Sequence, residues 1–222
     1  VNRRWQIGTG LLLTALAGYI DALGFLRLGG LYTSFMSGNT TQFAVYVAEA
    51  DGGRALLPIA LVLVFLGGAI LGSALGLLAP ARWVTPIILA FETLLALAAL
   101  SIGFAAPEPG PASLAIAMAM GAQNAVLAQV KGFRAGTTFV TGALFSLGQK
   151  IAEALTGRGP AFGWAGDALV WLSLLLGALA GALAYRAVNL YALIPPAVVA
   201  GLLAALTALL IARAGPAAKV PA

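Results

Sequence analysis

Residues 55–79 read ALLPIALVLVFLGGAILGSALGLLA, with no charged side chain among them. A helix needs about 20 apolar residues to cross a hydrocarbon core of about 30 Å. This stretch is long enough to span a bilayer and too apolar to coat a soluble surface. Outward from it the pattern recurs: residues 7–28, 84–106, 112–130, 165–187 and 190–213 meet the same length. Pro80, Pro109, Pro111 and the GRGP run at 157–160 punctuate them. Trp5, Trp83, Trp164, Tyr185 and Tyr191 fall at predicted helix ends, where amphipathic rings anchor in the headgroup layer.

Composition points the same way. Of 222 residues, 61% are hydrophobic and 9% charged, against roughly 25% charged in an ordinary soluble domain. So little polar surface cannot cover a globule, and the outside must face lipid. Cys and His are both absent, which excludes thiolate catalysis, disulfides, the commonest zinc and haem ligands and a His proton relay. No cofactor and no metal is expected. Twelve Lys and Arg against seven Asp and Glu give +5, the signature of basic residues held in cytoplasmic loops. No basic run interleaved with aromatics supports nucleic-acid binding. Arg3-Arg4 and the apolar residues from Gly10, with Ala15-Leu16-Ala17 behind, imitate a signal peptide. Apolar segments continue to the C-terminus, so a retained first span is expected.

Two segments depart from the pattern. Residues 32–49 read YTSFMSGNTTQFAVYVAE and residues 137–155 read TTFVTGALFSLGQKIAEAL. Both are apolar enough to enter a membrane, yet too rich in Ser, Thr, Gly, Asn and Gln to face lipid. They belong inside protein or along a cavity. The chain also repeats itself. Gly18, Asp21, Ala22 and Gly29 match Gly121, Asn124, Ala125 and Gly132 at one offset, and TSFMSG at 33–38 matches TTFVTG at 137–142 one residue later. Gly68, Gly72 and Pro86 match Gly177, Gly181 and Pro195. The expectation is a single all-α transmembrane domain over 1–222, with internal repeats at approximately 7–106 and 112–213.

Positive-inside counting orients the repeats. If both polar segments cross fully, there are eight spans and the repeats run parallel. Arg27, Arg82, Lys131, Arg134 and Arg186 then lie outside, and the bias nearly vanishes. If both are interrupted or re-entrant, six spans remain and the repeats are inverted. Arg82, Lys131, Arg134 and Arg158 then join Arg3, Arg4, Arg213 and Lys219 inside, leaving Arg27, Arg54 and Arg186 outside. The second reading is favoured, with a cytoplasmic N-terminus, three spans and one re-entrant helix per repeat.

Inverted repeats with interrupted helices place a site near the midplane, where helix ends offer unpaired backbone groups. The candidates are Asp21, Ser37, Gly38, Asn39 and Thr40 on the first half and Asn124, Thr137, Thr138, Thr141 and Gly142 on the second. A helix starting at Gly136-Thr137 would point free N–H groups at a solute. Small residues also let membrane helices pack tightly, but Asn39, Gln42, Gln123, Asn124 and Gln149 add polarity that packing does not need. Asp21, ionisable inside a span, either carries a coupling proton or holds a cation, with Asn124 completing a polar centre, or it bonds to the neighbouring interrupted segment. Glu92 and Gln123 either line a pathway or bond within the bundle. Lys150 and Glu153, three residues apart on one helix, are expected to pair; a Lys150 facing a cavity would instead favour an anionic solute. The GxxxG-like faces at Gly68–Gly72 and Gly177–Gly181 serve packing within the chain or between copies.

At GYIDALGF (18–25), SFMSGNTT (34–41), GAQNAV (121–126), GTTFVTG (136–142) and Leu147-Gly148, the chain resembles the YoaK-like bacterial inner-membrane proteins, catalogued as a domain of unknown function. The resemblance implies a multi-pass inner-membrane protein and supplies neither substrate nor proven functional residues. No Walker A pattern supports ATP-driven pumping, and no general base accompanies Ser37 or Thr141 for hydrolysis. The leading expectation is a transporter or channel for a small solute or ion, coupled to protons through Asp21. The alternatives are a non-transporting scaffold or small-molecule receptor, and an intramembrane enzyme using Asp21 and Glu92.

Overall fold

A computed structural model describes residues 3–106, 108–127 and 140–213. Among these residues every regular element is a helix: α1 (Arg3–Leu28), α2 (Met36–Ala48), α3 (Gly52–Leu78), α4 (Ala81–Ala105), α5 (Pro109–Leu127), α6 (Val140–Leu155), α7 (Ala165–Val188) and α8 (Ile194–Arg213). A 3-10 turn at Asn189–Leu193 joins the last two. Boundaries follow local chemistry. Pro109 opens α5, where a missing N–H costs nothing. Asp51 caps α3, accepting from the Arg54 backbone N–H at 2.9 Å and from Arg54 Nε at 2.6 Å, which hold its carboxyl below the usual carboxylate range. Gly29 and Gly30, at φ of 65° and 111°, stop α1 and turn the chain back. Among the described residues, four stretches have the length and apolarity of membrane spans: Ile7–Leu28, Gly52–Leu78, Ala81–Ala105 and the continuous 49-residue Ala165–Arg213 that holds α7 and α8.

The bundle is held by two glycine seams. Gly18 on α1 lies against the backbone of Leu174 and Ala178 on α7, while Gly177 and Gly181 on α7 lie against the backbone of Ala15 and Tyr19 on α1. Likewise Gly121 on α5 meets Phe65 and Ala69 on α3, and Gly68 and Gly72 on α3 meet Met118 and Ala122 on α5. At all six, an added Cβ would strike backbone. Small residues on both sides let the helices approach until backbones touch, the mode of association available where lipid supplies no hydrophobic drive. Both GxxxG-like faces are thus used within the chain.

These contacts fix directions. In each seam residue numbers rise together, so α1 runs parallel to α7 and α3 parallel to α5. One cleft gathers Arg27 from the end of α1, Ala112 and Ser113 from the start of α5, Tyr185 from the end of α7 and Leu190 from the 3-10 turn. Gly103, near the end of α4, lies against Leu190 and Arg27. Three helices (α1, α4, α7) therefore run toward the cleft end, and three (α3, α5, α8) run away from it. Segment 29–51 leaves and returns at the cleft end. Its helix α2 has 13 residues, about 20 Å, too short for a core of about 30 Å. Leu127, where α5 ends, and Ala165, where α7 begins, both lie at the opposite end of the bundle, and α6 between them has 16 residues, about 24 Å.

Two outcomes check this arrangement. The natural chain has no Cys, so single cysteines report cleanly. Glu49→Cys and Tyr191→Cys should react with an impermeant maleimide from one side of the membrane and Arg158→Cys from the other. Glu49 reacting from the side opposite Tyr191 would restore eight crossings. Gly177→Val should cost about 1–3 kcal/mol by overpacking, read as a lowered melting temperature in detergent.

Candidate functional site

The turn after α1 carries the first cluster of expected site residues, and the structure spends them on the backbone. Past Gly30 the chain is not helical until Met36, and it passes beside Asp21, seven residues before Leu28 and so about 10 Å inside the end of α1. A backbone that leaves its helix at that depth needs acceptors from side chains. Asp21 Oδ1 accepts from the Thr33 and Ser34 backbone N–H groups at 3.0 and 2.7 Å and from Thr33 Oγ1 at 3.2 Å. Its Oδ2 accepts from Ser34 Oγ at 2.6 Å. Asn39, fully buried, accepts from the Tyr32 N–H at 2.9 Å and donates to the Tyr32 carbonyl at 2.7 Å. Gly38 leaves room for the Phe35 and Tyr32 rings, which an added Cβ would meet at 2.9 and 3.0 Å.

The remaining residues of α2 face away. Ser37 and Thr40 are exposed, and Thr40 Oγ1 turns back to the Met36 carbonyl at 2.8 Å. On the second half, Thr137 and Thr138 lie outside the described residues, while Thr141 is exposed and Gly142 half-buried in the first turn of α6. Asn124 Nδ2 donates to the Met120 carbonyl at 3.2 Å. The described candidates on α2 and α6 are not brought together: α2 packs on α3 and α6 on α7. Lys150 does not pair with Glu153 as its spacing suggests. Its Nζ meets Asp167 Oδ2 at 2.6 Å and pins α6 to α7, while Glu153 accepts from Gln149.

What the fold does bring together is Glu92 and Gln123. Glu92 on α4 is 2% exposed and Gln123 on α5 is 0% exposed, and Gln123 Nε2 donates to Glu92 Oε1 at 3.0 Å. They sit between two apolar clusters, with Ile88, Leu89, Ala122 and Val126 on one side and Ala96, Ala119 and Met120 on the other. A second feature escaped the sequence reading. The cleft, about 360 Å³ with its open mouth included, is lined by Arg27, Thr33, Ser113 and Tyr185 among aliphatic walls. The buried Arg27 Nε has no acceptor among the described residues. A cation in the last turn of α1 is an ordinary helix-end residue by sequence, and only the approach of α4, α5 and α7 makes it part of a cleft.

The family described as "Protein of unknown function (DUF1275)" matches residues 9–206. The chain belongs to this family. A relative in Rhizobium meliloti (strain 1021), the "UPF0700 transmembrane protein RA0705", is 35% identical over 207 residues, covering 92% of this chain and 88% of the relative. No solved structure matches. This DUF1275 chain is a multi-pass membrane protein of an uncharacterised family.

The hydrogen bonds of the turn make a prediction. Asp21→Ala strands the Thr33 and Ser34 amides at about 1–3 kcal/mol each and should sharply lower thermal stability in detergent. Asp21→Asn, which keeps one acceptor oxygen, should fall between it and the native protein. Ser37→Ala and Thr40→Ala should change the melting temperature little.

Proposed function

We propose that this chain is a small-solute transporter of the bacterial cytoplasmic membrane, built from two inverted halves with its N-terminus in the cytoplasm. The observation that carries the reading is the opposed set of three and three helices with its two matching glycine seams. Ala15 and Tyr19 stand to Met118 and Ala122 at the same spacing as Gly18 to Gly121. Gly68 and Gly72 stand to Gly177 and Gly181 at the same spacing as Phe65 and Ala69 to Leu174 and Ala178. Each seam is the other's counterpart under the internal repeat, and each joins one half to the other. Inverted halves that meet around a midplane polar group are the architecture of alternating access, in which one half rocks against the other. Helices α2 and α6 then belong to the re-entrant elements of the two halves.

A transporter suits the interior better than a channel does. The floor of the cleft is made by Ile20, Leu23 and Ile116, which join Ala96 and Met120 in one buried apolar cluster. A channel needs a continuous polar path, and here apolar packing separates the cleft from Glu92 and Gln123. Asp21 holds the re-entrant turn, so coupling through Asp21, the first expectation from the sequence, gives way to the polar pair in the core.

The test uses two single cysteines. Tyr185→Cys lines the cleft, and Val126, 2% exposed, lies toward the opposite end. In sealed vesicles, a transporter that opens alternately should label Tyr185→Cys from the cleft side and Val126→Cys, more slowly, from the other. Val126→Cys that never reacts in the folded protein would favour a non-transporting scaffold.

A further inference from the structure

The acceptors and donors around Glu92 do not balance. Gln123 Nε2 satisfies Glu92 Oε1, but Glu92 Oε2 and Gln123 Oε1 are both buried with no hydrogen-bond partner. Two neighbouring groups each end in an acceptor without a donor. A carboxylate buried in apolar surroundings also needs a cation, and the described surroundings hold none. The described length of α5 carries no charged residue, and neither does the 3-10 turn, whose Tyr191 is 57% exposed. On α8 the one charged residue is Arg213, at its last position. Arg54 sits in the first turn of α3 and Arg82 in the first turn of α4. Arg27 lies against α4 at Gly103, about three turns beyond Glu92. Tyr19 on α1 gives its hydroxyl to the Ala192 carbonyl at 2.9 Å.

One proton resolves both deficits. On Glu92 Oε2 it removes the uncompensated charge and supplies the missing donor for Gln123 Oε1. Carboxyl and carboxamide then form a neutral pair with one N–H···O and one O–H···O bond. A metal ion would need several more oxygens, and no group of three or more carboxylates or other strong ligands exists among the described residues. We propose that Glu92 and Gln123 form a single-proton site in the membrane core, loaded while α4 and α5 are packed as seen here and emptied when they separate. At the repeat spacings, the counterpart of Glu92 is Gly201 and that of Gln123 is Ile20, so the site occurs once. Coupled to transport, it moves one proton per cycle. Its use in coupling rests on the transporter reading; the site itself does not.

Infrared spectroscopy with 13C-labelled glutamate decides the matter. The chain has four Glu, and the other three (Glu49, Glu108 and Glu153) are not buried. At pH 7 the purified protein should show one labelled protonated-carboxyl band, absent from Glu92→Gln. Should that variant fail to fold, Gln123→Met assigns the band by shifting it, because the carboxyl loses its amide partner. A spectrum with only carboxylate bands at pH 7, or a protonated band that neither substitution alters, overturns the proposal. The two readings fail separately. A Glu92 band without alternating cysteine accessibility keeps the proton site and removes the transporter, and alternating accessibility without the band does the reverse.

Discussion

Inside a bilayer a backbone that leaves the helix has no water to bond with, and that constraint organises this protein. Residues 31–35 are not helical, and Thr33 and Ser34 meet Asp21 about 10 Å inside the end of α1. They stay there because Asp21 and Asn39 stand in for the missing helix. Asp21 accepts four hydrogen bonds from two consecutive residues, and Asn39 mimics a peptide group opposite Tyr32. Replace those two side chains, and the segment must either become helical or retreat to the headgroups. The direction of α3, and through its seam that of α5, follows from where the turn delivers the chain.

The second organising contact is backbone against backbone. Lipid tails are as apolar as Leu, so α1 and α7 gain little by merely hiding Leu from solvent. They gain by approaching closely along Gly18, Gly177 and Gly181, and α3 and α5 do the same along Gly68, Gly72 and Gly121. Large apolar side chains such as Leu77, Leu78 and Phe145 are left on the outside, 87%, 85% and 76% exposed, where lipid covers them. This is the reverse of a soluble core, with the small residues inside and many of the large ones out.

Much of this was legible in residue order. The spans were set by length and apolarity, and α4, read as 84–106, is found at Ala81–Ala105. The glycine pairs stood out because their spacing repeats. The site was less legible, for a physical reason. Ser, Thr, Asn and Asp serve a solute or a stranded peptide group with the same chemistry, and sequence does not say which is nearer. Asp21, Asn39 and Thr33 turned out to serve the chain. Lys150 and Glu153 share a helix at pairing distance, yet Lys150 reaches across to Asp167, because the packing of α6 on α7 offers a closer carboxylate than the helix does. Glu92 could be seen as costly, but the burial of Gln123 beside it depended on the α4–α5 contact.

The crossing of the two seams bears on how the protein is made. Helix α1 rests on α7, and the groove that receives it does not exist until the ribosome has made α7. Each seam joins helices that are not neighbours in the chain. While synthesis proceeds, α1 waits in the lipid with a strip of bare backbone at Gly18, and the first half leaves a matching strip on α3. Such strips are adhesive to any other small-residue face nearby. Until α7 and α5 arrive, those faces stay open to any partner of the same kind, a demand made on assembly that the finished bundle no longer shows.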